Sequence, residues 1–281
     1  MRILITGADG QVGKALYKKL IGLDVDALGK SDLDITKEDQ VRTFFQNKKP
    51  DVVFHCAAFT QVDQCENDKK KAFEVNAISS GILAQSCEKS GAKLIYYSSD
   101  YVFNGKKKTP YLESDQSEPL STYGMSKWIG ERLVQQLSPS STIIRTSWVF
   151  GHGGKNFVTT MLELAKQQKI VRVIEDQVGS PTYADDLAEY SVNMINHPKG
   201  VYHITNSGSC SWYDFAKRIF KEGGYDPSLV HPVQSDQYGS LAKRPENSVL
   251  SHRNLIKLGL QPPRKWEDAL KEFIRRELSD D

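Results

Sequence analysis

An apolar run, Arg2-Ile3-Leu4-Ile5-Thr6, breaks into Gly7-Ala8-Asp9-Gly10-Gln11-Val12-Gly13 and resumes as a helical pattern with Val12, Leu16 and Leu20 on one face. The period changes from buried strand to helix across a single glycine-rich turn. In such a turn one glycine permits the reversal, another lets backbone approach a pyrophosphate, and a third lets the helix pack on the sheet. The start of the helix then presents unpaired N–H groups to phosphate oxygens. The spacing is GxxGxxG rather than GxGxxG, and a plain tight turn is the competing explanation. Its position at the first strand–helix junction favours dinucleotide binding, through Gly7, Asp9, Gly10, Gln11, Val12 and Gly13.

The same alternation continues. Strands are expected at Asp24–Leu28, Asp51–Cys56, Lys93–Ser99 and Thr142–Ser147. Helices are expected from near Thr36, over Ala72–Ser90 with a stop at Gly91, and over Tyr123–Leu137. Strands apolar on both faces and separated by helices indicate a parallel sheet covered on both sides. The expected fold class is therefore α/β, a Rossmann-type doubly wound parallel sheet. After Gly151 the rhythm changes, to helices at Asn156–Gln168, Asp185–Ile195, Trp212–Glu222 and Trp266–Leu278 and strands at Val171–Ile174 and Val201–Ile204. A smaller mixed α/β substrate domain is expected there. It exchanges segments with the first: residues 1–151 and 182–206 form the dinucleotide domain, residues 152–181 and 207–281 the substrate domain.

Composition excludes several classes. The charges nearly cancel, 37 basic against 35 acidic, giving no reason to expect nucleic acid or a membrane surface. The runs Lys69-Lys70-Lys71 and Lys106-Lys107-Lys108 read as solvated faces. No segment approaches the roughly 18 apolar residues of a membrane span, and the first apolar run is too short for a signal peptide. The four cysteines form no CxxC pair, so neither a disulfide framework nor a metal site is assigned. Cytoplasm is the expected location.

Two features sharpen the chemistry. Tyr123-Gly124-Met125-Ser126-Lys127 places a phenol and an ammonium on one helix face. The ammonium is expected to lower the phenol pKa and make it a general acid or base near neutrality. Ser98-Ser99-Asp100 ends a central strand, at the sheet edge where ligands bind. Ser99 is the expected catalytic hydroxyl and Ser98 the competitor, since alternation turns only one of them toward the site. The second strand ends in Leu28-Gly29-Lys30-Ser31, with no acid to bind a ribose hydroxyl. Lys30 suits a 2′-phosphate, which favours NADPH. In the alternative, NADH binds and Asp32 serves the ribose.

These motifs together resemble the dTDP-4-dehydrorhamnose reductase family of extended short-chain dehydrogenases/reductases. The resemblance runs through Gly7–Gly13, Ala57–Asp63, Ser98–Gly105, Tyr123–Lys127, Arg145–Gly151, Gly154–Phe157, Asp176–Tyr183 and Arg244–Ser248. It implies NADPH-dependent reduction of the C4 ketone of a dTDP-sugar. Tyr123 would donate the proton, Lys127 would hold the nicotinamide ribose, and Ser99 would polarise the carbonyl. Leu33, Ala57, Ala58, Thr60 and Asn76 would border the cofactor. Val62, Ser99, Trp148, Asn156, Gln177 and Arg244 would meet the nucleotide-sugar, although Trp148 also suits a core and Arg244 a surface salt bridge. His55-Cys56 departs from the Asn-Ala that the family often carries, which puts the local hydrogen bonding in question. A monomer or homodimer is expected, and no magnesium-binding carboxylates are matched. The alternatives are an epimerase or dehydratase of the same superfamily, which would regenerate its cofactor, and a silent regulatory subunit. Intact Ser99, Tyr123 and Lys127 favour an active reductase.

Overall fold

Six short strands carry the frame: β1 (Arg2–Thr6), β2 (Asp24–Leu28), β3 (Val52–His55), β4 (Lys93–Ser99), β5 (Thr142–Thr146) and β6 (Gly200–His203). All pair in parallel, in the order β6-β5-β4-β3-β1-β2. The computed structural model describes residues 1–278. Alternation sorts the side chains into two cores. Ile3, Ile5, Phe54, Ile95 and Tyr97 pack on one face against Leu16 of α1 (Gln11–Lys19) and Leu187 of a helix over Ala184–Asn193. Leu4, Val53, Leu94 and Tyr96 face the other side. There they meet α2 (Glu38–Lys48), α3 (Ser79–Ser90) and α4 (Thr122–Leu137) through Phe45, Leu83 and Val134. This is the three-layer α/β arrangement expected, and its apolar burial is the main term holding it together.

The chain leaves β1 for β2 on one side and then returns to β3 on the other. That reversal opens a crevice above the carboxyl ends of β1 and β3, the place where doubly wound sheets bind ligands.

A second core gathers Phe150, Val158, Met161, Phe215, Ile219, Phe220 and Phe273. It is built by α5 (Phe157–Lys166), the pair of strands Val171–Ile174 and Val230–Val233, and two further helices, Trp212–Glu222 and Trp266–Glu277. Between them Ala184–Asn193 and β6 rejoin the large sheet. Leu255, on the short helix Arg253–Lys257, also lies in the large-sheet core, although the stretch 207–281 was expected to stay with the smaller domain. Among the described residues no helix is long and apolar enough to cross a membrane.

The expected single helix over Ala72–Ser90 is three pieces. An α-turn at Lys69–Phe73 passes into a π-helix at Glu74–Ile78 and then into α3. The π segment makes a wider turn than an α-helix, as such segments often do beside functional sites. Here it points Asn76 into the protein, fully buried.

Candidate active site

Thr6 runs into Gly7, whose φ of 66° lies in the left-handed region that glycine adopts without strain. A Cβ at Gly7 would also stand 2.6 Å from the backbone of Ala57. At Gly13 a Cβ would meet the carbonyl oxygen of Gly7 at 2.5 Å, so α1 can only lie this close to the turn with glycine there. Gly10 caps α1 with no side chain bonded to the first-turn amides. Those amides therefore remain able to receive an anion.

The loop forms one wall of a cleft of about 630 Å³. Gly7, Asp9, Gly10, Gln11, Val12, Gly13, Lys30 and Leu33 line it on one side, with Asp34, Ile35 and Thr36. Ala57, Ala58 and Thr60 border it beyond β3, and Ser99, Tyr123, Lys127 and Trp148 close the far end. A second cavity of about 680 Å³ lies between α1 and Arg276, under ion pairs such as Arg276–Asp185. It holds none of Ser99, Tyr123 and Lys127, which makes the cleft the candidate site.

Six expected residues are not on the cleft wall. Asp32 turns its carboxylate back to accept the Gly29 amide at 2.9 Å. Asn76 clamps the backbone of Phe59, accepting its N–H at 2.7 Å and donating to its carbonyl at 3.0 Å, and donates to Ser126 at 3.0 Å. It thus fixes the Ala57–Thr60 wall from behind. Asn156 is spent as the N-cap of α5. It accepts from Thr159 N and donates to Gln11 Oε1 and to the carbonyls of Gly151 and Gly154. Arg244 grips both oxygens of Asp63, at 3.2 and 2.6 Å. Gln177 is buried next to the two-residue strand Val178–Gly179, and Val62 opens the short helix Val62–Asn67.

Trp148 has φ of 47°, unusual for a bulky residue and of the kind of strain found at working sites. Its indole stacks on Trp212 with centroids 3.5 Å apart and presses on Gly179, where a Cβ would come within 2.5 Å.

At the chemical end, Ser121 caps α4 by accepting from Gly124 N at 3.2 Å. The carboxylate of Glu66 also accepts the Thr122 amide at 2.7 Å. One turn along, Lys127 sits with its ammonium 4.4 Å above the Tyr96 ring. Burial pulls its pKa down to about 7, against the charge of Glu131. Burial also pushes the Tyr123 phenol upward, partly offset by the hydroxyl of Ser99. The expected lowering of Tyr123 by Lys127 is therefore corrected. Desolvation dominates both groups and favours the neutral phenol. A phenol that keeps its proton at neutral pH is suited to giving it away.

Ser99, not Ser98, is the hydroxyl beside Tyr123. Ser98 Oγ is buried with no hydrogen-bond partner among the described residues. His55 answers the departure noted in the sequence: Nδ1 meets Thr6 Oγ1 at 2.8 Å and Nε2 meets Ser80 Oγ at 3.1 Å. Burial, then the Lys127 charge, lowers it to about 3, so it is a neutral structural link.

Two features were not assigned from sequence. Glu131 and Arg145 form a buried two-point ion pair at 2.9 and 2.7 Å beneath the Lys127 turn. An arginine inside the apolar run Thr142–Thr146 was its only signal, since such a residue inside a sheet demands a partner. Asp100 is the second, a buried carboxyl bonded to Ser99.

The RmlD substrate binding domain family matches residues 1–279. The chain belongs to the dTDP-4-dehydrorhamnose reductase family. Among its relatives, the dTDP-4-dehydrorhamnose reductase of Aggregatibacter actinomycetemcomitans is 42% identical, covering 97% of this chain and 98% of that protein. The spore coat polysaccharide biosynthesis protein SpsK of Bacillus subtilis is 45% identical over 99% of this chain and 98% of its own length. The crystal structure of dTDP-4-dehydrorhamnose reductase from Bacillus anthracis in complex with NADP superposes with a TM-score of 0.95 at 40% identity. That match covers 98% of this chain and 99% of the other. The family frame accounts for the glycine loop, the Ser-Tyr-Lys group and the second core in one molecule.

Proposed function

We propose that this chain reduces the C4 ketone of dTDP-4-dehydro-β-L-rhamnose to dTDP-β-L-rhamnose with NADPH. The observation that carries it is the convergence of Ser99, Tyr123 and Lys127 at the far end of a cleft that begins at the open start of α1. The first-turn amides and Gly7–Gly13 hold the pyrophosphate, and Lys30 at the rim meets the 2′-phosphate. NADPH, when bound, supplies the hydride. Lys127 orients the nicotinamide ribose, and Tyr123 donates its proton to the oxygen that develops charge at C4. Ser99 bonds the same oxygen or the phenol that serves it. Trp148, held by Trp212, forms the sugar wall. Asn76 holds the Ala57–Thr60 wall, and Arg244 with Asp63 secures the loop that flanks it. The chain works in the cytoplasm, in keeping with a sequence that carries no CxxC pair and no helix able to cross a membrane among the described residues.

The test is NADPH consumption, followed by its near-ultraviolet absorbance, with dTDP-4-dehydro-β-L-rhamnose as substrate. Wild type should oxidise NADPH stoichiometrically, and Tyr123→Phe should be slower by about 10²–10⁴-fold. Substrate turnover without net NADPH consumption would move the assignment to an epimerase or dehydratase.

A further inference from the structure

The unexplained group in the cleft is Asp100. It is 2% exposed, and its Oδ2 has no hydrogen-bond partner among the described residues. Its other oxygen, Oδ1, receives the proton of Ser99 at 2.8 Å. A serine hydroxyl has one proton and two acceptor sites. Ser99 uses one acceptor site for the Tyr101 amide at 3.1 Å, and it shares the cleft wall with the Tyr123 phenol, whose pKa its hydroxyl pulls down against burial. With its proton committed to Asp100, Ser99 can only accept from Tyr123. In that arrangement neither hydroxyl proton points at a substrate carbonyl.

One more proton changes the count. If Asp100 is protonated and donates to Ser99, the Ser99 proton is released toward the phenol or the ketone. The Tyr123 proton is then free as well. We infer that Asp100 is a positioning residue whose protonation sets the direction of the Ser99 hydroxyl, turning it from an acceptor of Tyr123 into a donor toward the ketone. This rests on the reductase reading and deepens it.

The surroundings fit such a role. Burial raises the Asp100 carboxyl to about 6, while Ser248, Ser99 and nearby backbone amides oppose the rise. The titratable groups that feel its charge are Tyr123 of α4 and Tyr101 of its own turn; Lys127 shares the cleft wall with it, while Cys65 acts on Tyr123 and Arg244 on Tyr101. Of these only Lys127, near 7, titrates close to it. The carboxylate also opposes the Tyr123 phenolate by its charge.

The experiment is the pH dependence of NADPH consumption at saturating sugar, for wild type, Asp100→Asn and Ser99→Ala. Wild type should lose rate above pH about 6, by at least tenfold toward the ~10²-fold that one carbonyl donor is worth. A second fall follows as Lys127 loses its proton. Asp100→Asn keeps a permanent N–H donor toward Ser99 and should lack the first fall while retaining the second. Ser99→Ala should also lack the first fall, at a lower rate throughout, because nothing transmits the state of Asp100. Persistence of the first fall in Ser99→Ala would overturn the inference, even if Asp100→Asn did not fold. A readout without turnover separates this from failure of the reductase reading. The infrared carbonyl band of the protonated carboxyl, assigned by its loss in Asp100→Asn, should titrate near 6 in wild type and higher in Ser99→Ala. An unmoved band would show that Ser99 and Asp100 are not coupled.

Discussion

Tyr123 and Lys127 share a helix face, yet what governs each of them is burial rather than the other's charge. Lys127 is held near 7 in the folded chain against 10.5 when exposed. The unfolded chain therefore binds the proton more tightly, and the penalty on folding is full below pH 7 and vanishes above 10.5. Lys127→Met should abolish turnover yet raise stability by about 1–4 kcal/mol at pH 7 or below, with a smaller gain near pH 10. Asp100 has the opposite sign. Its folded carboxyl holds a proton up to about 6, against 3.8 when exposed. The penalty is thus absent below 3.8 and full above 6. Asp100→Asn should be more stable than wild type by on the order of 2–3 kcal/mol at pH 7.5, with the gain fading toward pH 4. Denaturant titrations at two pH values decide both, and gains that do not change with pH would refute the assigned causes. Sequence reasoning could pair Tyr123 with Lys127 because their spacing is local, and both line the cleft. It misjudged the tyrosine pKa because burial is set by residues arriving from other elements, among them Tyr96 and Tyr101.

Among the elements, the strand–turn–helix at the start is the least tolerant of change. The atoms a Gly13 side chain would strike are backbone, the Gly7 carbonyl and the Ala8 Cα at 2.5 and 2.6 Å, and neither can swing aside. Gly13→Ala should cost about 1–3 kcal/mol in stability and weaken NADPH binding at least tenfold. A thermal melt and a fluorescence titration measure the two, and unchanged NADPH affinity would contradict the tight-packing role. Elements with several turns or a clean alternation were readable: Lys93–Ser99, Val171–Ile174 and Trp212–Glu222 fall where their patterns put them. The two-residue strands Val149–Phe150, Val178–Gly179 and Thr182–Tyr183 are too short to carry a period. The π-helix at Glu74–Ile78 was hidden because its cause is distant, the Phe59 backbone that Asn76 must reach. Asn156 had the local signature of a helix cap, and the structure uses it as one.

At the scale of the whole molecule, the two cores are tied on both sides of the cleft. Lys14 and Gln11 reach the 151–156 loop on one side, through Gly153 O and Asn156. On the other, Asp63 takes Arg244 and the Ala242 amide, and Asn247 donates to the Lys107 carbonyl. Asp63→Ala removes a partly buried two-point pair and frees the 242–248 loop. It should raise KM for the nucleotide-sugar by about tenfold while leaving KM for NADPH within about twofold, since the glycine loop lies on the opposite wall. Equal effects on both would place the loop's role in overall folding instead. This tie was beyond sequence reasoning: it joins residues 181 positions apart, and Arg244 had no local mark separating a strap from a ligand contact. The Trp148–Trp212 stack has a use of its own. Two nearly parallel indoles with centroids 3.5 Å apart share their electronic excitations. The pair should give a paired positive and negative circular dichroism signal that either tryptophan alone lacks. Because Trp148 lines the cleft, a ligand settling against it should alter that optical coupling, so that the protein would report its own occupancy without a label.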